Sequence, residues 1–123
     1  MNRAGILREA LISAAIGCLW AEEHAVWHTH TPQDLTAMRD RRRAQARVER
    51  VLTQAAQENL IDEAGQRRLL GVVLDAMVQV RWRHEPRHAN HVPMFPVIER
   101  SLIADLRETW SQCVRRNWWG RAA

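Results

Sequence analysis

Apolar residues recur every three or four positions along four long stretches of this chain, and no segment shows a sustained alternation of apolar and polar residues. The first spacing places apolar side chains on one side of an α-helix, whereas alternation would place them on one face of a β-strand. The pattern predicts an all-α fold. At 123 residues, we expect one domain, residues 1–123, built as a bundle of four main helices with room for a short fifth.

Capping residues and prolines mark where these helices begin and end. Thr31 can cap the second helix, with Pro32 at its first position and Asp34 where a capping-box acid would lie. Asp62 is placed to cap the third helix. Three prolines between Glu85 and Pro96 predict a loop before the fourth. The predicted helices cover about residues 3–27, 32–59, 63–83 and 97–114.

The first helix contains an apolar run, Ala10 to Ala21, that follows Arg3 and Arg8. The run is too short to span a bilayer, and Glu9 interrupts the basic leader that a signal peptide would need. We therefore expect a buried helix and no membrane partner. The two cysteines, Cys18 and Cys113, lie far apart without a metal-binding spacing, which favours a reducing, cytoplasmic location.

The basic residues are unusual in kind. All 18 are Arg, the formal net charge is +4, and the sequence pI is near 10.8. Such a balance favours anionic partners: nucleic acid, an anionic membrane surface or an acidic protein. A GC-rich coding sequence would also replace Lys with Arg, so composition alone does not separate functional use from codon bias.

A stripe of arginines is predicted on the second helix. Six arginines lie between Arg39 and Arg50, against Asp40 and Glu49. At about 100° per residue, four of them share a sector of about 80° opposite the apolar side, and a fifth flanks it. Arg41 falls on the apolar side, where we expect it to pair with an acid across the bundle. The predicted stripe comprises Arg39, Arg42, Arg43, Arg47 and Arg50.

Further basic residues lie in two aromatic-rich segments. The end of the third helix and the following loop carry Arg81, Arg83 and Arg87 around Trp82, and the C-terminal region carries Arg115 and Arg116 next to Trp118 and Trp119. Aromatic rings interleaved with arginine can stack on unpaired bases. The alternative is that the tryptophans fill gaps in the bundle.

The histidines indicate a function less clearly than the arginines do. His24 and His28, and likewise His84 and His88, have the i,i+4 spacing that can place two imidazoles on a metal. Pro86 separates the second pair, so we expect that pair to lie off a continuous helix. Polar residues at helix ends explain these positions better than a metal site does, and we expect no metal and no cofactor. Phosphate-binding loops, dinucleotide fingerprints and nucleophile elbows are all missing, so the sequence predicts no enzyme.

In size, helix content, basicity and lack of catalytic motifs, the chain resembles the small α-helical subunits of CRISPR effector complexes. The resemblance rests on no specific motif, so no residue role is carried over. It implies a subunit that lines a nucleic-acid channel without cutting. We therefore expect sequence-independent binding of nucleic-acid backbone, RNA or single-stranded DNA, within a larger nucleoprotein complex. The alternative is a regulator or inhibitor whose arginine stripe docks on an acidic protein surface.

Overall fold

The apolar periodicity of the sequence corresponds to four long α-helices. The structure, a computed structural model, describes residues 2–27, 32 and 34–115. Within these residues there is no strand, which confirms the predicted all-α class. The elements are α1 (Arg3–Trp27), α2 (Asp34–Gln57), α3 (Glu63–Arg83), a 3-10 turn (Ala89–His91) and α4 (Phe95–Cys113).

Local chemistry explains two of the helix ends. The Asp62 carboxylate accepts a hydrogen bond from the Gly65 amide at 2.8 Å, which caps α3 as predicted. Asn59, with φ of 61°, adopts the left-handed conformation that ends many helices, and α2 stops two residues before it. The predicted cap Thr31 lies outside the described residues.

The loop before α4 is shorter than predicted. The helix begins at Phe95, so Pro96 lies in its first turn rather than in the loop. Proline is tolerated there because the first amides of a helix have no partner within the helix. The remaining loop contains the 3-10 turn, which is the short fifth helix that the sequence left room for.

The helices run alternately up and down, and α1 packs against the other three. Arg3 of α1 pairs with Glu58 just after α2, and Glu9 of α1 pairs with Arg107 of α4, so α1 is antiparallel to both. In contrast, α1 and α3 are parallel and diagonal neighbours. Within the described helices, α2 and α4 do not contact each other. These two helices therefore form opposite edges of the bundle, and each exposes a broad outer face.

The core lies between all four helices and is mostly aliphatic. In α4 every fourth residue from Ile98 to Trp110 is buried, so one side of the helix faces the core. In α1 the apolar residues Ala14 and Ala21 are only partly buried, whereas the acidic residue Glu22 is fully buried. The largest fully buried apolar side chains are Leu11, Leu19, Leu52, Ile61, Leu69, Ile98, Leu102 and Leu106.

Helix α1 is longer than its apolar run. At 25 residues it is long and apolar enough to cross a membrane, judged by length and composition only. Core helices of folded domains can have the same composition, because a helix that contacts several others buries more than one face. Here α1 contacts all three other long helices, which accounts for its apolar character.

Candidate nucleic-acid interface

The five predicted stripe residues share the outer edge of the bundle. Arg39, Arg42, Arg43, Arg47 and Arg50 are all exposed, and together they are called the arginine stripe below. The buried residues of α2 lie on the opposite side of the helix, against α1 and α3. At 1.5 Å per residue, the stripe extends for about 16 Å along α2.

No residue of the arginine stripe forms an ion pair within the described part of the chain. Glu49, on the same helix, accepts a hydrogen bond from Gln45 instead. Like charges spaced i,i+4 repel each other by a few tenths of a kcal/mol per pair. Most other arginines do have acidic partners. The ion-paired arginines among the described residues are Arg3, Arg8, Arg41, Arg67, Arg81, Arg87 and Arg107.

A shallow groove runs beside the stripe, between α1 and α2. Its volume is about 410 Å³. The residues of α1 that line the groove have small side chains, and Arg47 and Arg50 line it from α2. A rod-shaped anionic ligand could approach closely here without meeting a bulky side chain. The groove is lined by Ala10, Ser13, Ala14, Gly17, Arg47, Arg50 and Val51.

Two arginines close to the stripe serve a different role. Glu22 is completely buried, and its two carboxylate oxygens accept hydrogen bonds from Arg41 Nη1 at 3.4 Å and from Arg81 Nη1 at 3.2 Å. The predicted pairing of Arg41 with an acid across the bundle is therefore confirmed. Because one carboxylate holds both α2 and α3, this cluster fixes the position of the two helices on α1. Arg81, predicted as a binding residue, is engaged here.

The other predicted site residues are dispersed. Arg87 pairs with Glu85 at 3.0 Å on the loop. Arg83 buries its Nε, and this atom has no hydrogen-bond partner among the described residues. Arg115 is exposed at the far end of α4, where its amide donates to the Leu60 carbonyl at 2.8 Å. Arg116, Trp118 and Trp119 lie outside the described residues.

Among the described histidines, His84 contacts a carboxylate. Helix α3 ends at Arg83, so His84 and His88 both lie beyond it, as predicted from Pro86. His84 Nε2 lies 2.8 Å from Glu23 Oε1, and Trp27 Nε1 donates to the other oxygen of Glu23 at 2.9 Å. Within the described residues, no group of three or more His, Cys, Asp or Glu side chains is placed to hold a metal ion. His28 is outside those residues.

Two ionisable groups in this region have shifted pKa values. Burial raises the pKa of Glu23, but the hydrogen bonds from His84 and Trp27 outweigh that effect, so its pKa lies below the ordinary value. Burial raises the pKa of Cys18 to about 11. The Cys18 thiol therefore stays protonated at neutral pH and is a poor nucleophile.

Sequence reasoning missed the second partner of Glu22. The sequence did indicate that Glu22 is buried, because Glu22 follows Cys18 by four residues and Leu19 by three and so continues the buried side of α1. A carboxylate in such a position needs a charged partner. Which arginines would supply it depended on how α2 and α3 pack on α1.

Comparison of the chain with models of protein families, with curated proteins and with solved structures found no match.

Proposed function

We propose that this protein is a non-catalytic subunit that binds the phosphate backbone of RNA or single-stranded DNA through the arginine stripe, independently of sequence, within a larger nucleoprotein complex. The single observation that carries the proposal is the stripe itself: five exposed arginines on one outer face, without an acidic partner in the described chain. Such a role would match that of the small helical subunits which the chain resembles in size and basicity.

The chemistry of guanidinium favours phosphate as the ligand. A guanidinium group donates two parallel hydrogen bonds to a phosphate, and it stays charged at any physiological pH. Four of the stripe residues, Arg39, Arg43, Arg47 and Arg50, lie about one turn of α2 apart, so they present a line of positive charge rather than a single pocket. A line of charge suits a polymer of phosphates better than an isolated anion.

An acidic protein is the second candidate, and the groove beside the stripe is the observation that favours it. Small side chains such as Ala14 and Gly17 allow close approach, so a helix with acidic residues could lie against α1 and pair with Arg47 and Arg50. Such a complex would have one defined stoichiometry. Its affinity would depend less steeply on salt than that of a complex with a phosphate backbone.

The test begins with the ratio of absorbance at 260 and 280 nm for protein purified at low salt, followed by binding to labelled RNA and DNA strands over a salt series. Each phosphate contact lowers the logarithm of the affinity by about 0.7–0.9 per tenfold rise in salt. If all five stripe arginines contact phosphate, the logarithm of the affinity should fall by about 4 for a tenfold rise in salt.

Charge reversal of Arg43 and Arg47 should abolish binding while leaving helicity intact, because both side chains are exposed. The matched control is Arg67→Glu with Arg100→Glu, which changes the net charge equally on α3 and α4. The control should bind as the unaltered protein does. Equal loss in both variants would show an effect of overall charge only, and protein that binds no strand at low salt would refute the proposal.

A further inference from the structure

Trp82 stands out among the exposed tryptophans because of its surroundings. Trp20 and Trp27 each donate their indole N–H to a glutamate, Glu99 and Glu23 respectively, so a negative charge lies beside both rings. Trp82 has no such hydrogen bond among the described residues. Its neighbours in sequence are Arg81 and Arg83. Glu85 lies one turn beyond Trp82, but its carboxylate is paired with Arg87 rather than with the indole. The Trp82 ring therefore differs from those of Trp20 and Trp27 in that its N–H donates to no carboxylate among the described residues.

The Trp82 ring is held in place and remains accessible. It stacks on the His88 ring, with the ring centroids 5.0 Å apart and the planes inclined by 29°. The residue is still 43% exposed. A ring that is already oriented by a stacked neighbour loses little conformational entropy when a ligand stacks on it.

Trp82 lies at the end of the bundle where the arginine stripe begins. Arg41 of α2 and Arg81 of α3 reach the same carboxylate, Glu22, so their sequence neighbours Arg42 and Trp82 lie towards the same end of the bundle. Arg42 flanks the stripe on the side towards α3. This is shown by Glu49, two turns further along α2, which lines a groove together with residues of α3.

From this arrangement we infer that the stripe binds an unpaired strand and that one base of the strand stacks on Trp82, with His88 behind the ring. The inference rests on the proposed function and adds a second contact to it. The backbone would follow the stripe, pass Arg42 and cross to α3. Bases in a duplex are already stacked inside the helix, so they cannot reach Trp82. Trp82 therefore gives the protein a preference for single strands.

The test compares two substitutions of similar bulk, Trp82→Phe and Trp82→Leu. Both keep an apolar side chain, but only the first keeps an aromatic face. Binding to a labelled oligothymidylate is measured for each, together with binding to a duplex of the same length. Loss of one stacked base lowers affinity by about 5- to 140-fold. We expect that loss for Trp82→Leu with the single strand, a much smaller loss for Trp82→Phe, and no change with the duplex.

Trp20→Leu is the matched control, because Trp20 is exposed but lies between α1 and α4, away from the stripe. It should leave single-strand affinity unchanged. If Trp82→Leu binds the single strand as tightly as the unaltered protein, while Arg43→Glu with Arg47→Glu loses both ligands, the stacking site is refuted and the proposed function stands. Equal losses for Trp82→Phe and Trp82→Leu would refute stacking as well, since they would indicate packing. If the unaltered protein binds neither ligand, both proposals fail.

Discussion

The arginines of α2 have two kinds of surroundings, one for Arg41 and one for the arginine stripe. Arg41 points into the bundle and shares the buried carboxylate of Glu22 with Arg81. The arginine stripe points outward and has no acidic partner in the described chain. An arginine on the inner side of α2 thus has a structural role, whereas an arginine on the outer side is available to bind an anion. Position relative to the core decides which role an arginine has.

A buried carboxylate with its arginine partners and an exposed cation also differ in their energetics. Removing one partner of a buried pair leaves a charge without compensation in a poorly polarisable environment, which is costly. Removing an exposed arginine costs little, because water replaces whatever it contacted. The comparison between the two groups can therefore be tested by measuring folding stability, independently of any ligand.

The largest effect is expected when the buried cluster loses its cations. Arg41→Met with Arg81→Met leaves Glu22 buried and unpaired, and should lower the free energy of unfolding by about 1–3 kcal/mol, less than for a fully buried pair because both arginine side chains are partly exposed. Adding Glu22→Met should recover most of that loss, because an apolar cluster of similar volume needs no countercharge. Urea denaturation followed by circular dichroism measures both. If the triple variant is no more stable than the double one, the cluster does not act as a charge pair.

A smaller effect is expected from the pair that joins the start of α1 to the end of α2. The hydrogen bonds from Arg3, followed by that from Gln54, lower the pKa of Glu58 from 4.5 to about 2. Because the pKa of Glu58 is lowered in the folded protein, the stabilisation that its ionised carboxylate gives is present above pH 4.5 and is lost as pH falls towards 2.

Arg3→Gln removes the main cause of that shift. The variant should be less stable than the unaltered protein near neutral pH, and its stability should fall less steeply between pH 4.5 and 2. Urea denaturation at a series of pH values measures the difference. Parallel pH profiles for the two proteins would show that the Arg3–Glu58 pair has no influence on how stability depends on pH. The stripe should give no comparable dependence, since guanidinium does not titrate in this range.

The smallest effect is expected from the stripe. Arg43→Gln with Arg47→Gln removes repulsion between charges four residues apart, and should raise the free energy of unfolding by a few tenths of a kcal/mol at low salt. The gain should vanish at high salt, where the repulsion is screened. Thermal and urea unfolding at the two salt concentrations measure it. A clear loss of stability would mean that these arginines are structural, and the contrast with Arg41 would disappear.

Much of the fold could be predicted from the sequence because it depends on local pattern. The spacing of apolar residues gave the four helices, and Asp62 marked the start of α3 through its own side chain. The stripe also followed from helical geometry alone, since exposure on a helix depends on which face carries the apolar residues. The predicted loop end at Pro96 was wrong because proline fits equally well into a first helical turn.

The sequence by itself determined the helices, their apolar sides and the face on which the five stripe arginines lie, because each is set by residues within about one turn of one another. Only the tertiary structure decided that Arg41 and Arg81 meet on Glu22, that α2 and α4 form opposite edges, and that Trp82 lies at the same end of the bundle as Arg42. Those contacts join residues tens of positions apart. They depend on how whole helices pack, and no local pattern in the chain encodes that directly.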